Sequence, residues 1–126
     1  MTANEFRNQI AKKFHNLNPT ANQATRHILE YLNTSGFYAW RNNNNAVWDE
    51  KKQAFRAGSV EKGIADIIGI QKKTGRFIAV EVKVGKDKLS AEQSRFLDSI
   101  TRAGGLACVA SRAGDVVDYL ESINMG

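Results

Sequence analysis

Two apolar runs that carry charged residues inside them most constrain how this chain folds. The first run, residues 64–70, contains one charged residue, Asp66, and the second run, residues 77–84, contains Glu81 and Lys83. The lysines, threonine and glycine between the runs are typical of a turn. Because short apolar runs bounded by turn residues are typical of buried strands, the pattern predicts a hairpin with charges in its interior.

The position of the turn determines which residues of this hairpin face each other. If the chain turns between Lys73 and Thr74, facing residues have numbers that add up to 147, as Asp66 and Glu81 do. Directly opposed residues have Cβ atoms roughly 4.5–5.5 Å apart, and like charges there destabilise the strand pair. A divalent cation between the carboxylates would reverse the sign of that interaction, and an oxygen-rich site suits Mg²⁺ or Mn²⁺. Strand alternation places Lys83 on the same face as Glu81.

Lys83 has two possible roles beside such a pair of acids. Its ammonium group could position a water and stabilise charge on a phosphate in the transition state. Alternatively, it forms an internal salt bridge with one acid and leaves the other carboxylate unpaired in an apolar strand. We favour the functional interpretation, because a buried carboxylate without a partner is costly unless it serves a purpose.

The patterns outside this hairpin predict helices and further strands. Apolar spacing and helix-end signals predict helices over residues 3–16, from Thr20 to Ser35–Gly36 and from Ser90 to Gly104–Gly105. They also predict a short final helix capped by Asp115. Strands are predicted over residues 37–41 and 106–110. Thr20 with Gln23, and Ser90 with Gln93, match capping boxes. Residues 42–62 are polar and the least regular part, and irregular segments of this length are often functional.

This order of elements predicts an α/β fold, a mixed β-sheet flanked by helices. We expect a single domain over residues 1–126, with an extra N-terminal helix within residues 1–18 and a core over about residues 20–122. The single cysteine, Cys108, excludes an intrachain disulfide and is interpreted as a small buried hydrophobe.

The charge balance favours a polyanionic partner. Eighteen Lys and Arg residues against thirteen Asp and Glu give a net charge of +5, which is a weak signal taken alone. No apolar run approaches the ~20 residues of a membrane helix, and no glycine-rich loop precedes a Lys-Ser or Lys-Thr pair. We therefore expect no membrane contact and no nucleotide cofactor, and the polar N-terminus leads us to expect a cytoplasmic protein.

A family resemblance follows from these motifs. The string Gly-Ile-Ala-Asp at residues 63–66, the string Glu-Val-Lys at residues 81–83 and Gln93 on the next helix resemble the PD-(D/E)XK nucleases. More narrowly, they resemble the VRR-NUC group, which occurs as stand-alone phage proteins and as a domain of larger repair nucleases. The resemblance covers roughly residues 20–112, leaves the first helix outside and implies a restriction-endonuclease-like core.

The resemblance implies a role for each residue of the site. Asp66, Glu81 and the backbone carbonyl of Val82 would bind the metal, and Lys83 would position or activate the attacking water. Gln93 would lie near the site as a catalytic residue, although its helix cap is sufficient reason for a glutamine there. The implied cofactor is Mg²⁺, with Mn²⁺ as a substitute.

The implied activity is a metal-dependent endonuclease that hydrolyses DNA phosphodiesters. Stand-alone members of the group suggest branched DNA, in particular four-way (Holliday) junctions, as substrate, a homodimer as the working form, and a bacterial or phage-infected cell as the setting. The chain departs from the family pattern at two places. Ala65 replaces a proline that shapes a turn, and Gln23 stands where the family tends to have a glutamate, which weakens the case for a second metal ion.

Basic residues near these motifs are candidate contacts to DNA phosphates. They are Arg41, Lys51, Lys52, Arg56, Lys62, Lys86 and Lys88. The alternative for each is a solvated surface charge, which is the more common case for an exposed basic loop such as that of Lys86 and Lys88. Trp40 and Trp48 either stack on bases or belong to the core. His15 and His27 have no zinc-ligand spacing.

Three alternatives to a structure-selective nuclease remain open at this point. The chain could be a sequence-specific restriction-type nuclease, or a non-catalytic DNA-binding module on the same fold. It could also be an interaction protein whose basic face binds an acidic partner. The acid pair with its lysine speaks against the last two, because neither needs costly charges in buried strands.

Overall fold

The structure is a computed structural model that describes residues 5, 8, 9, 12, 18–42, 47–56 and 62–124. Residues 5, 8, 9 and 12 are helical. The rest of the helix predicted over residues 3–16 lies outside the described residues.

The described chain forms three further helices and six strands. They are α1 (Ala21–Asn33), β1 (Phe37–Arg41), β2 (Val47–Asp49), β3 (Ala54–Arg56), β4 (Ile67–Gln71), β5 (Phe77–Val82), α2 (Ala91–Arg102), β6 (Leu106–Ala110) and α3 (Ala113–Asn124). The main sheet has the order β1-β4-β5-β6, and β2 and β3 form a separate two-stranded sheet. Since β5 and β6 are parallel and the other pairs antiparallel, the main sheet is mixed, as predicted. Among the described residues, no helix is long and apolar enough to cross a membrane.

The β4–β5 hairpin has the register that its turn predicts. Ile67 faces Val80, and the next three pairs keep the same spacing. One further step toward the open end of the hairpin places Asp66 opposite Glu81. The facing of the two acids was therefore predictable from the turn position alone.

Helices cover both faces of the main sheet. On one face, Ile67 and Val80 pack in a cluster with Ile28 of α1 and Val116 of α3. A smaller cluster on the other face joins Ala79 to Leu97 of α2. Because side chains alternate along a strand, Asp66 and Glu81 belong to the α2 face.

Both predicted capping boxes are confirmed. In α1, Thr20 Oγ1 accepts a hydrogen bond from Gln23 N at 3.2 Å, and Gln23 Oε1 accepts one from Thr20 N at 3.0 Å. In α2, Ser90 Oγ accepts from Gln93 N at 3.1 Å, and Gln93 Oε1 accepts from Ser90 N at 2.9 Å. Each box satisfies donors at a helix start that have no partner within the helix.

The interpretation of residues 42–62 as irregular is wrong in part, since β2 and β3 pair within this segment. The hairpin turn is closed by Asp49, whose Oδ1 accepts hydrogen bonds from Lys51 N at 3.0 Å and Lys52 N at 3.3 Å. Strands of three residues are too short to produce a recognisable alternation in the sequence.

The start of the last helix also differs from the prediction. Helix α3 begins at Ala113, two residues before Asp115. Asp115 Oδ2 instead accepts a hydrogen bond from Ser111 N at 2.8 Å and so holds the connection between β6 and the helix.

Cys108 is half-buried against the core, and burial raises the pKa of its thiol to about 12, so it behaves as a neutral, largely apolar side chain.

Gly63 holds the segment before Asp66 against the first turn of α2. Its φ is +82°, and a Cβ at this position would lie 2.5 Å from the carbonyl carbon and oxygen of Glu92 and 2.8 Å from Gln93 N. Glycine permits both the left-handed backbone and the close approach. This contact fixes the spacing between the Asp66 segment and α2.

We predict that Gly63→Ala destabilises the protein more than Gly75→Ala. Gly75 has a φ of +76° and open space where an alanine Cβ would lie, so its alanine variant measures backbone strain alone, about 1–3 kcal/mol. Gly63→Ala adds a clash with helix backbone and should lower the free energy of unfolding by a further ~1–3 kcal/mol. Urea denaturation of both variants tests this, and equal losses would contradict the close packing.

Candidate active site

The predicted site lies where β4 begins and β5 ends. Asp66 directly precedes β4, Glu81 is the penultimate residue of β5, and Lys83 follows β5 directly. The site also borders the N-terminal end of α2, because Gln93 in the first turn of that helix reaches Glu81. The structure thus brings the residues of the predicted motifs to one end of the main sheet.

Asp66 ends the β4–β5 ladder with its own side chain. Its Oδ2 accepts a hydrogen bond from Val82 N at 2.9 Å, where a backbone carbonyl would accept if the ladder continued. The main-chain carbonyl of Asp66 accepts a hydrogen bond from Asn42 N at 2.7 Å, directly after β1. Asp66 is therefore fixed by its side chain to β5 and by its backbone to the end of β1.

Glu81 is a buried acid with an unsatisfied oxygen. Its side chain is only 2% exposed, and among the described residues Oε2 has no hydrogen-bond partner. Burial, followed by a hydrogen bond to Asp66 and the charge of Asp66, raises the pKa of Glu81 to about 8, and the charge of Lys83 opposes the shift. At neutral pH the metal-free carboxyl is therefore mostly protonated and can donate to Asp66, a bond that exists only while one of the two acids holds a proton. When ionised, it needs a cation.

Gln93 is both a helix cap and a neighbour of the acid pair. Because its Oε1 accepts from Ser90 N, its amide is oriented with Nε2 toward Glu81. Nε2 donates a long hydrogen bond of 3.4 Å to Glu81 Oε1. The two interpretations of this glutamine are compatible, since the cap aims the amide at the site.

Lys83 is held by its backbone beside β6. Its N donates to the Ala110 carbonyl at 3.0 Å, and its carbonyl accepts from Ser111 Oγ at 2.7 Å. Among the described residues, no ion pair joins Lys83 to Asp66 or Glu81. The internal salt bridge considered from the sequence is therefore absent, although the lysine charge reaches Glu81 electrostatically.

The candidate phosphate-binding residues Arg41, Lys86 and Lys88 lie at this end of the main sheet, whereas Lys51 and Lys52 lie in the separate β2–β3 sheet. Arg41 Nη2 donates to Asn22 Oδ1 of α1 at 3.0 Å, which holds the guanidinium at the end of β1. Lys51 and Lys52 are exposed in the turn between β2 and β3, and Lys86 and Lys88 are exposed between β5 and α2. The side chain of Arg56 lies outside the described residues.

Lys62 lines an open cavity that no sequence pattern predicts. The cavity has a volume of about 300 Å³ and is lined by Lys62, Glu92, Arg95, Phe96 and Ser99. Arg95 was not among the predicted residues, because an arginine three positions after a glutamate on a helix is typical of a surface pair. That pair is loose, with Nη2 of Arg95 4.0 Å from Glu92 Oε1 and 72% of the arginine side chain exposed. Arg95 is thus free to contact a phosphate.

Neither tryptophan belongs to the core. Trp40 is 44% exposed and Trp48 is 43% exposed. Trp40 forms an edge-to-face contact with Tyr38, and Trp48 forms one with Phe55. The core interpretation of these residues is therefore wrong.

Together, these features define an α/β protein whose mixed sheet presents a facing carboxylate pair and a lysine at one end. The chain belongs to the VRR-NUC family, because the family model of the VRR-NUC domain matches residues 6–113. A VRR-NUC domain implies a nuclease, and hence DNA as substrate. The match begins earlier than residue 20, where we expected the resemblance to start. Comparisons with curated proteins and with solved structures gave no match.

The raised pKa of Glu81 predicts that the stability of the metal-free protein falls as pH rises. The carboxyl titrates near its ordinary value of 4.5 in the unfolded chain and near 8 in the folded protein. Between these values the folded state holds a proton that the unfolded state has released. This contribution to stability is fully present below about pH 4.5 and is lost as pH rises through about 8.

The melting temperatures of the wild type and of Glu81→Gln, compared in EDTA, test this effect. One measurement is made at a pH between the two pKa values and one at a pH above both. Glutamine has no proton to lose, so the variant should gain stability relative to the wild type as pH rises. A difference in melting temperature that does not change with pH would show that Glu81 titrates normally in the folded protein.

Proposed function

We propose that this protein is a Mg²⁺-dependent endodeoxyribonuclease that hydrolyses phosphodiester bonds in branched DNA, with four-way junctions as preferred substrate and a homodimer as working form. The observation that carries the proposal is the acid pair. Asp66 and Glu81 face each other across two strands, and one oxygen of the buried Glu81 lacks a partner.

The acid pair suits a divalent cation. A cation would give Glu81 Oε2 the partner that it lacks and would offset repulsion between the two ionised carboxylates. The described residues contain no group of three or more His, Cys, Asp or Glu side chains placed to hold a metal ion. Two carboxylates are sufficient for Mg²⁺, because this ion usually keeps several water ligands.

The Val82 carbonyl is a third candidate ligand. In an antiparallel ladder, the N–H and C=O of one residue point toward the same neighbouring strand. Since Val82 N donates to Asp66 and Lys83 N donates to Ala110 on the opposite side, the Val82 carbonyl points toward Asp66. Gln23, by contrast, uses its side-chain carbonyl to cap α1, which favours a single metal ion.

The residues of the site have complementary roles. A bound Mg²⁺ supplies Lewis-acid stabilisation of charge on the phosphate and favours ionisation of water. Lys83 adds a positive charge for the transition state and positions the attacking water. Gln93 Nε2 orients Glu81, and Val82 N orients Asp66. The N-terminal end of α2 adds the positive end of a helix dipole next to the substrate phosphate.

Basic residues at this end of the main sheet and in the β2–β3 sheet are available for contacts to the DNA backbone. The basic residues assigned to them are Arg41, Lys51, Lys52, Arg56, Lys62, Lys86 and Lys88. Phosphate contacts position DNA without reading its sequence, which supports recognition of shape over recognition of bases. A two-fold dimer suits a junction, because two symmetric cuts need two active sites.

We predict that Lys83→Ala lowers turnover by at least ~100-fold and changes DNA affinity little, because the lost charge acts mainly in the transition state. Lys73→Ala is the matched control, since Lys73 is exposed in the β4–β5 turn at the far end of the hairpin. Single-turnover cleavage in Mg²⁺ and binding in EDTA give the two quantities. Equal losses of turnover and of DNA affinity would mean that Lys83 is a phosphate contact.

Cleavage of defined substrates tests the proposed function. Two four-way junctions with unrelated arm sequences are compared with matched linear duplexes, each in Mg²⁺ and in EDTA. The proposal predicts Mg²⁺-dependent cutting of both junctions and little cutting of duplexes. Cutting that follows one sequence in linear duplex would favour a restriction-type nuclease. Binding to these DNAs without any cutting would favour the non-catalytic module.

A further inference from the structure

The two-stranded sheet β2–β3 carries an exposed aromatic pair, and we call residues 47–56 the aromatic hairpin. Trp48 and Phe55 face each other across the two strands. Their ring centroids are 5.1 Å apart at an interplanar angle of 73°. An edge-to-face contact leaves part of each ring open to a partner.

The exposure of these rings is costly unless they have a partner. Phe55 is 70% exposed and Trp48 is 43% exposed. Neither residue belongs to the two apolar clusters that hold the described part of the domain together. Exposed aromatic side chains that lie together are typical of binding surfaces.

The aromatic hairpin carries a small excess of positive charge, three basic residues against two acids, which suits a polyanion. Lys51 and Lys52 are exposed at the turn of the aromatic hairpin. Two acids share this turn: Asp49, which already accepts hydrogen bonds from the backbone N–H groups of both lysines, and the exposed Glu50. Aromatic rings for stacking next to lysines for phosphates are the combination that binds single-stranded nucleic acid.

The chain keeps the aromatic hairpin near the acid pair. It is inserted between Asn42, which donates to the Asp66 carbonyl, and Gly63, which packs on the first turn of α2. Five residue steps separate Asn42 from Val47, a span of at most about 18 Å when fully extended. The base of the hairpin therefore stays within a few nucleotides of the candidate active site.

We propose that the aromatic hairpin binds unpaired bases of a single-stranded DNA segment beside the duplex that is cut. Trp48 and Phe55 stack on the bases, and Lys51 and Lys52 contact the adjacent phosphates. This inference rests on the proposed function and extends its substrates from four-way junctions to branched DNA in which duplex adjoins unpaired nucleotides. Stacking on every type of base makes such a contact independent of sequence.

Tryptophan fluorescence tests the contact directly. The chain has two tryptophans, so Trp40→Phe leaves Trp48 as the sole indole reporter. Titration with oligothymidylate in EDTA should quench Trp48 emission, whereas blunt duplex should not. Unchanged emission at saturating oligothymidylate would overturn the proposal.

Affinity provides the second readout. Trp48→Leu combined with Phe55→Leu keeps the apolar character of the hairpin but removes both rings. It should weaken binding of oligothymidylate, and of duplex with a single-stranded overhang, by at least about 10-fold, the scale of losing stacked bases. Binding of blunt duplex should change less than about 2-fold on the same grounds. The matched control is Ile70→Ala, which truncates an aliphatic side chain of 41% exposure near the β4–β5 turn, at the far end of the hairpin from the acid pair.

The remaining outcomes separate this inference from the proposed function. Unchanged affinity for oligothymidylate, together with a shift of the double variant toward monomer in sedimentation, would mean that the rings pair with a second copy and would overturn the inference. Binding is measured in EDTA, so it does not depend on cleavage. Quenching of Trp48 in a protein that never cuts DNA would support the single-strand site and reject the nuclease. Cutting of DNA without quenching would support the nuclease and reject the single-strand site.

Discussion

The facing of two carboxylates at the end of a buried strand pair is the constraint on which the rest of the site depends. Glu81 lies in an apolar strand at 2% exposure, opposite Asp66. Neighbouring elements are arranged around this unfavourable pair: Val82 N binds one acid, Gln93 Nε2 contacts the other, and Asn42 N fixes the segment before β4. The cost of the pair is tolerable when a proton or a cation lies between the two groups.

The features that follow local rules could be predicted from the sequence. The β4–β5 register depends on the turn position and on the two-residue period of a strand, and both are visible in the residues. The caps at Thr20 and Ser90 depend on a spacing of three residues to a glutamine. Because these rules are local, the strand pair, the two helices and the facing of Asp66 and Glu81 were predictable together.

The remaining features depend on contacts between distant parts of the chain. The aromatic hairpin has strands of three residues, too short for a periodic signal. Gly63 matters because its backbone meets Glu92 nearly thirty residues later, a contact that no pattern around residue 63 shows. Arg95 lines a cavity with Lys62 only after α2 has packed. The start of α3 differs because Asp115 bonds back to Ser111, outside the helix.

If Asp66 and Glu81 together hold a divalent cation, a crystal soaked in Mn²⁺ will show that ion between them. Anomalous scattering identifies the ion without reference to activity. We expect one Mn²⁺ with an oxygen of Asp66 and an oxygen of Glu81 each on the order of 2 Å away. A crystal soaked in Mn²⁺ that shows Lys83 paired with these carboxylates, and no ion between them, would contradict it.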